Sequence, residues 1–331
     1  MSHISPSGPI DPAVDAGIRH PQAIYQHPLA YLLGLQGTAL LRAFAGEYDR
    51  EFTNARLSEI QALLNSADEL GNGGWATRMT TVDGYEGWAP HYDAPGNAMV
   101  EREEPIVRAI LDRLSHGAAR VVLDAACGTG RHTAYLASLG HKVIGIDSSP
   151  AMLAQARSKV PAGEFYEADL HSLPLPDDHV EVVVCALALT HLPGLSPVLA
   201  EFVRVLRPGG HLVISDVRGF VPGGRRYPVV MTRPDGKTGY IPCWIHSTSD
   251  YLKAALPLGL RVRQCEEPSS PDPLVDETGT PPGDVEPIAR HIASDSPPDI
   301  WNLHPWAPAA TNASYRDKPH FIVWHFELDA A

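Results

Sequence analysis

Val121-Val-Leu-Asp-Ala-Ala-Cys-Gly-Thr-Gly130 is an apolar run that closes on a carboxylate and passes over two glycines into the helical stretch Arg131 to Leu139. A strand that ends on an acid and turns over glycines into a helix is how a parallel α/β sheet builds a nucleotide site at its carboxyl edge. The pattern returns twice: Lys142-Val-Ile-Gly-Ile leads into Asp147, and Glu164-Phe-Tyr-Glu-Ala leads into Asp169. Acids that merely cap βα turns would explain any one of these places. Three of them at three successive strand ends point to a single site.

Downstream, Val180 to Cys185 is apolar enough for a strand buried on both faces. Leu195 to Leu206 has the spacing of a helix, which Arg207-Pro-Gly-Gly stops, because glycine suits the left-handed end and proline cannot continue the helix. His211 to Val217, Leu260 to Cys265 and His320 to Leu328 complete a count of seven strands. The expected class is α/β, a Rossmann-like doubly wound sheet with an N-terminal helical extension.

The glycine run resembles the methyl-donor site of class I S-adenosylmethionine-dependent methyltransferases, where a strand closing on Asp is followed by x-x-Cys/Gly-x-Gly. Val205-Leu-Arg-Pro-Gly-Gly210 before an apolar strand is similar to the small-molecule branch of that family, the type 11 or ubiquinone-methyltransferase-like group. The resemblance implies a seven-stranded sheet with its last strand antiparallel and S-adenosyl-L-methionine as cofactor. It implies roles as well. Asp124 would face the donor's ammonium group, and Ala126, Gly128, Thr129 and Gly130 would let its methionine half pass close to the backbone. Asp147, with Ser148 beside it, would take the ribose hydroxyls, and Asp169 the adenine amino group, with Met152 and Leu170 lining the ring.

A dinucleotide-binding oxidoreductase also uses Gly-x-Gly and a ribose acid. Pyrophosphate, however, needs a bare helix N-terminus, and an acid directly before the turn suits a cationic ligand instead. Thr133 occupies the place of that fingerprint's third glycine. NAD therefore ranks third, behind methyl transfer and behind a donor-binding regulator or scaffold without turnover. The intact set of acids and glycines favours transfer, since a decayed site should have lost some of them.

The chain's 331 residues exceed what this core needs. Residues 1–21, rich in Pro, Ser and Gly, read as a flexible tail. Residues 22–80 read as a helical cap or dimerisation region, with Leu29, Leu32, Leu33, Leu40, Leu41 and Phe44 at helix spacing and Gly34, Gly37 and Gly46 as breaks. A cap over the pocket is favoured, and a homodimer face is the close second. Residues 81–331 form the expected methyltransferase domain, with Pro- and Gly-rich insertions at 218–245 and 266–318 near the cleft. Within the second insertion, Ile300 to Trp306 is too apolar for a free linker.

A net charge of −13 argues against nucleic-acid substrates. The sequence lacks His-x-x-x-His and Cys-x-x-Cys spacings, so no metal is expected. Four scattered cysteines, no apolar leader at Met1 to Asp11 and no run of about 18 apolar residues suit a cytoplasmic enzyme without a membrane span.

Catalysis of methyl transfer is chiefly alignment, with a base needed only when the nucleophile carries a proton. In Gly84-Tyr-Glu-Gly-Trp-Ala-Pro-His-Tyr-Asp93, Tyr85, Trp88 and Tyr92 share a helical face. By the resemblance, Tyr92 belongs to a lid that touches the donor carboxylate. Tyr85 and Trp88 fit either substrate contact or core packing. His191 follows the fourth strand at the cleft edge and is a candidate base; a hydrogen bond holding its loop is the equal alternative. His246, before the cap Ser247-Thr-Ser-Asp250, is a second candidate base. The expected reaction is methyl transfer to a small organic metabolite of specialised metabolism. An aromatic or heteroaromatic acceptor, indole-like included, suits the aromatic lid.

Overall fold

The computed structural model describes residues 21–93, 97–219, 228–233, 235–269, 273–277 and 300–330. Its front end holds β1 (Ala23–Gln26), α1 (Pro28–Phe44), α2 (Arg50–Asn65), β2 (Gly74–Arg78), α3 (Thr81–Trp88) and α4 (Ala98–Leu114). The core follows with β3 (Val121–Ala125), α5 (Arg131–Ser138), β4 (Lys142–Asp147), α6 (Pro150–Lys159) and β5 (Glu164–Glu167). Next come β6 (Val180–Ala186), α7 (Ser196–Val205), β7 (Leu206–Val217), β8 (Val229–Thr232) and β9 (Thr238–Ile241). The chain closes with α8 (Thr248–Ala255), β10 (Leu260–Glu266), α9 (Ile300–Leu303), α10 (Pro308–Tyr315) and β11 (Phe321–Leu328).

Seven strands pair in the order β10-β11-β7-β6-β3-β4-β5. β5, β4, β3, β6 and β7 are mutually parallel, and β11 runs antiparallel to both β7 and β10. This is the expected doubly wound sheet. Alternation of side chains explains why both faces are covered. Leu123, Ile144, Ile146, Val183, Cys185 and Ile214 point to one side and pack with Phe202 of α7 and Tyr251 of α8. Val122, Val143, Val182, Val184 and Val213 point to the other and meet Val107, Ile110 and Leu111 of α4. From β3 the chain winds outward through β4 and β5, then returns to β6 on the opposite flank. The gap between β3 and β6 is thus the topological switch point, where such sheets bind ligands.

The front end differs from an all-helical cap. β1, β2, β9 and β8 form a second sheet, with β1–β2 and β8–β9 antiparallel and β2–β9 parallel. Two of its strands come from the segment 22–80 and two from the insertion 218–245, so part of what reads as a loop is a strand pair. α1 runs unbroken through Gly34 and Gly37, and the break falls at Gly46, whose φ of +91° favours glycine. Leu32, Leu35 and Ala39 of α1 pack on Ala310 and Ala313 of α10. The front end and the ends of both insertions therefore join in one accessory layer. Leu303 and His304, from the apolar stretch of the second insertion, are buried in this region.

α3 is seated hard on the second sheet. A Cβ at Gly84 would come within 2.3 Å of Ile241 Cδ1, so any other residue here would have to displace the Ile241 side chain. Arg207-Pro-Gly-Gly also departs from the expected loop: β7 already starts at Leu206, which pairs with Val180 before a register shift. Gly209, at φ +76°, carries the irregularity. The tail 1–20 and Arg225-Arg226 lie outside the described residues.

Candidate active site

The turn after β3 is left-handed at three places. Ala126 has φ +57°, Gly128 +54° and Gly130 +82°, and a positive φ on alanine marks strain of the kind found at functional sites. Backbone and carboxylate bonds hold the turn: the Cys127 amide donates to the Ile146 carbonyl at 2.9 Å, and the Gly128 amide to Asp147 Oδ2 at 2.8 Å. The Ser149 amide donates to Asp147 Oδ1 at 2.8 Å. Burial pushes the Asp147 carboxyl up, and these amides oppose that shift.

The two glycines serve different ends. Nothing lies within 4 Å of a Cβ built on Gly128, whereas one on Gly130 would meet Ala156 Cβ at 2.9 Å and Ala156 Cα at 3.0 Å. Gly128 borders the cavity, and Gly130 lets α5 approach α6. Gly130→Ala is therefore expected to cost about 1–3 kcal/mol of stability from backbone strain and overpacking together. Thermal unfolding checks this, and an unchanged Tm would refute the packing role.

A cavity of about 320 Å³ opens at the switch point, within the range of small-molecule sites. Of the residues expected at the donor, it is lined by Tyr92, Ala126, Gly128, Asp147, Ser148, Met152, Asp169 and Leu170. Burial raises Asp169, but the His171 amide at 2.8 Å and the His171 ring outweigh it, and its carboxyl sits below the ordinary aspartate range. The cavity also meets Thr80, Thr81 and Val82 of the lid and Leu187, Ala188 and Leu192 beyond β6. None of these six carried a sequence signal. Leu187 repeats the strain of Ala126, with φ +55° one residue after its strand.

Three expected donor residues stand off the wall. Asp124 is 2% exposed and accepts from Thr133 Oγ1 at 2.5 Å, so the residue that breaks the dinucleotide fingerprint is the one that holds this acid inward. Burial raises its carboxyl. Gly130 packs against α6. Thr129 donates to Asp93 Oδ1 at 2.8 Å, and Asp93 pairs with Lys159 Nζ at 2.5 Å. Asp93 thereby fastens the segment carrying Tyr92 to both the glycine turn and α6. Below the turn, Arg131 lies 2.7 Å from Glu103, a fully buried carboxylate. Burial would raise Glu103, but Arg131 and His132 hold it at about 2.

The lid and the loop after β6 meet across the cavity. α3 ends at Trp88, yet Tyr85, Trp88 and Tyr92 stay clustered, with ring centroids 5.2–6.1 Å apart. The Tyr85 hydroxyl lies 2.8 Å from His191 Nε2. Burial raises Tyr85 well above its usual value, with the neighbouring Tyr92 adding to the shift, and burial drives His191 down to about 4. His191 is thus an uncharged imidazole at neutral pH. Its loop is anchored by the Thr190 amide, which donates to Asp216 Oδ1 at 3.0 Å, and by the Trp244 amide, which donates to the Thr190 carbonyl at 2.6 Å.

His246 is not on this wall. It is 6% exposed, its Nε2 lies 3.1 Å from the Leu189 carbonyl, and its ring edge meets Tyr251. Only a donor N–H satisfies a carbonyl, so His246 bonds through Nε2 to the His191 loop, away from the cavity wall. Behind His191 stands Cys243, which sequence reading left unassigned; its Sγ is 3.6 Å from His191 Nδ1.

The buried histidines set a pH dependence. Burial lowers His191 and His304 from 6.5 to about 4. The unfolded chain protonates them as pH falls through 6.5, the folded chain only near 4, so stability present above the unfolded value is lost on acidification. Asp216, raised by burial from 3.8 to about 6, acts oppositely over that interval, because its folded state holds the proton more tightly. His325 is lowered to about 4 as well, so three histidines outweigh this one acid, and a net loss of stability is expected between about pH 7 and pH 5. Urea midpoints at the two pH values measure it, and an equal or higher midpoint in acid would contradict the assignment.

Residues 123–214 match the protein-family model described as Methyltransferase domain. The match begins in β3 and ends in β7, so it holds the glycine turn, Asp147, Asp169 and His191 but neither α3 nor Cys243. The chain is 40% identical over 95 residues to a malonyl-[acyl-carrier protein] O-methyltransferase of Yersinia pestis, covering 29% of this chain and 36% of that protein. It is 38% identical over 107 residues to a probable S-adenosylmethionine-dependent methyltransferase of Mycolicibacterium smegmatis, covering 32% and 42%. A phthiotriol/phenolphthiotriol dimycocerosates methyltransferase of Mycobacterium leprae is 34% identical over 141 residues, covering 40% and 52%. The chain spans about one third to one half of the length of these relatives.

Proposed function

We propose, for a chain whose residues 123–214 are a class I S-adenosylmethionine-dependent methyltransferase domain, that the cavity at the switch point transfers a methyl group to a small organic acceptor. The observation that carries this reading is the continuity of the cavity, which joins Asp147 and Asp169 on one side to Tyr85 and His191 on the other. The donor set fits the cofactor: carboxylates at successive strand ends suit hydroxyl and amino groups, and the open backbone at Gly128 leaves room beside the turn. Asp147 and Ser148 would hold the ribose, Asp169 the adenine amino group, Met152 and Leu170 the ring, and Tyr92 the methionine end. When bound, the cofactor supplies a methyl group on a positively charged sulfur.

Val82, Ala186, Leu187, Ala188 and Leu192 form an apolar wall beside Tyr85 and His191. That wall supports a flat or apolar acceptor, aromatic or heteroaromatic, with an indole-like ring among the candidates and specialised metabolism as the setting. The named relatives act on dissimilar molecules, so they support the use of the donor and leave the acceptor to the wall. α1 supports both readings of the front end. One face is buried against α10, while Leu41 and Phe44 stand 71% and 92% exposed and favour a homodimer. No helix among the described residues is long and apolar enough to cross a membrane.

Calorimetric titration with S-adenosylmethionine, its demethylated product and NAD, each alone, tests the cofactor. Mass-spectrometric screening of aromatic metabolites then tests transfer. Binding of the first two with methylated product supports the reading, binding without any product favours a regulator, and binding of NAD overturns it.

A further inference from the structure

We infer that the turn after β9, Pro242-Cys243, belongs to the catalytic site as a positioning element: it holds the proton of His191 on Nδ1, so that Nε2 presents its lone pair to the Tyr85 hydroxyl. The inference rests on reading the cavity as a methyl-transfer site.

The geometry is closed on both sides of the ring. Nε2 is taken by Tyr85 at 2.8 Å. On the other side Cys243 Sγ lies 3.6 Å from Nδ1, and the Pro242 backbone beside it favours a protonated ring. The Cys243 thiol has its own acceptor, the Ile241 carbonyl at 3.8 Å, which leaves a sulfur lone pair toward the ring. With the thiol hydrogen on the Ile241 carbonyl, the sulfur is the acceptor at Nδ1, and that nitrogen carries the ring hydrogen. The neutral imidazole then has its free pair at Nε2, and the Tyr85 O–H donates to it.

This arrangement makes Tyr85 and His191 a two-step path for a proton. An acceptor N–H or O–H bond breaks as Tyr85 Oη takes the proton, and the Tyr85 proton forms a bond to His191 Nε2. The imidazole becomes an imidazolium; a bound donor would supply its methyl group from a positively charged sulfur, so the net charge at the site would be conserved. Burial makes His191 a weak base, and the Tyr85 hydroxyl at 2.8 Å orients the Nε2 lone pair that takes the proton. The ionisable groups facing the pair are Tyr92 beyond the lid helix, Cys243 after β9, Asp147 at the end of β4 and Asp216 in β7. The position is notable because β9 and its turn come from an insertion, so an accessory element supplies the orienter.

The test is nitrogen NMR of the full chain with labelled histidine, the His191 resonance being assigned by its loss in His191→Gln. The Nδ1–H tautomer is expected in the unmodified protein at neutral pH; the Nε2–H tautomer would overturn the inference. Cys243→Ala should lower kcat about threefold to tenfold and shift the acidic limb of the pH profile with donor KM unchanged, the Pro242 carbonyl remaining in place. Cys243→Ser, which keeps an acceptor atom, should restore both. Unchanged kcat and tautomer in Cys243→Ala would also overturn the role of the thiol. If Cys243→Ala fails to fold, the tautomer of the unmodified protein and the serine variant still decide. Failure of S-adenosylmethionine to bind in calorimetry would instead sink the functional reading while leaving the tautomer measurement intact.

Discussion

His191→Gln is expected to lower methyl transfer by about 10²–10³-fold at saturating donor and acceptor, with the donor Kd changed by no more than about twofold. Glutamine keeps a polar group of similar length but cannot take up a proton, so the variant separates basicity from shape. Tyr85→Phe should give a loss of the same order, because it removes the hydroxyl 2.8 Å from Nε2 while keeping the aromatic packing with Trp88 and Tyr92. If the two act as one path, the double variant should be little worse than either single one, since the second removal finds no pathway left to damage. Losses that multiply would mean that the two residues act separately. A kcat unchanged in His191→Gln would mean that the acceptor sheds no proton through this ring.

The legible parts of this molecule are those whose signal is local. An apolar run closing on Asp147, or the glycines 128 and 130, carries its meaning within a few residues, because strand burial and backbone freedom are short-range properties. Hence the core sheet and the cavity contacts of Asp147, Asp169 and Met152 could be anticipated. Asp124 was harder, because its direction depends on a hydroxyl nine positions away, Thr133, which claims it from inside the fold. The surroundings of His246 are hidden for a similar reason: which atom faces its ring, here the Leu189 carbonyl 57 residues back, is set by tertiary packing. β8 and β9 are hidden by the Pro- and Gly-rich composition of their surroundings, and β9 pairs with β2, far upstream, as well as with β8. Cys243 had no signal at all. Its place behind His191 exists only because the accessory layer folds over the sheet edge.

Asp147→Ala is expected to weaken S-adenosylmethionine binding by about 1.5–3 kcal/mol, roughly 10- to 150-fold in Kd, the scale of lost charge-assisted hydrogen bonds. The side chain has two tasks. Its oxygens accept the Gly128 and Ser149 amides at 2.8 Å each, which shapes the glycine turn from the neighbouring strand, and its remaining lone pairs face the cavity. Alanine removes both, leaving two amides without their acceptor and the ribose hydroxyls without a carboxylate. Asp147→Asn separates the tasks. It offers one carbonyl oxygen and a donor amide that opposes a backbone N–H, so it should bind nearly as poorly as alanine if ribose recognition needs the charge. Because burial raises Asp147, donor affinity should begin to fall, on acidification, at a higher pH than an ordinary aspartate would give. Calorimetry of both variants across pH measures each component. A donor affinity in Asp147→Ala equal to that of the parent, with the protein still folded, would remove Asp147 from the donor site and leave the turn geometry as its only role.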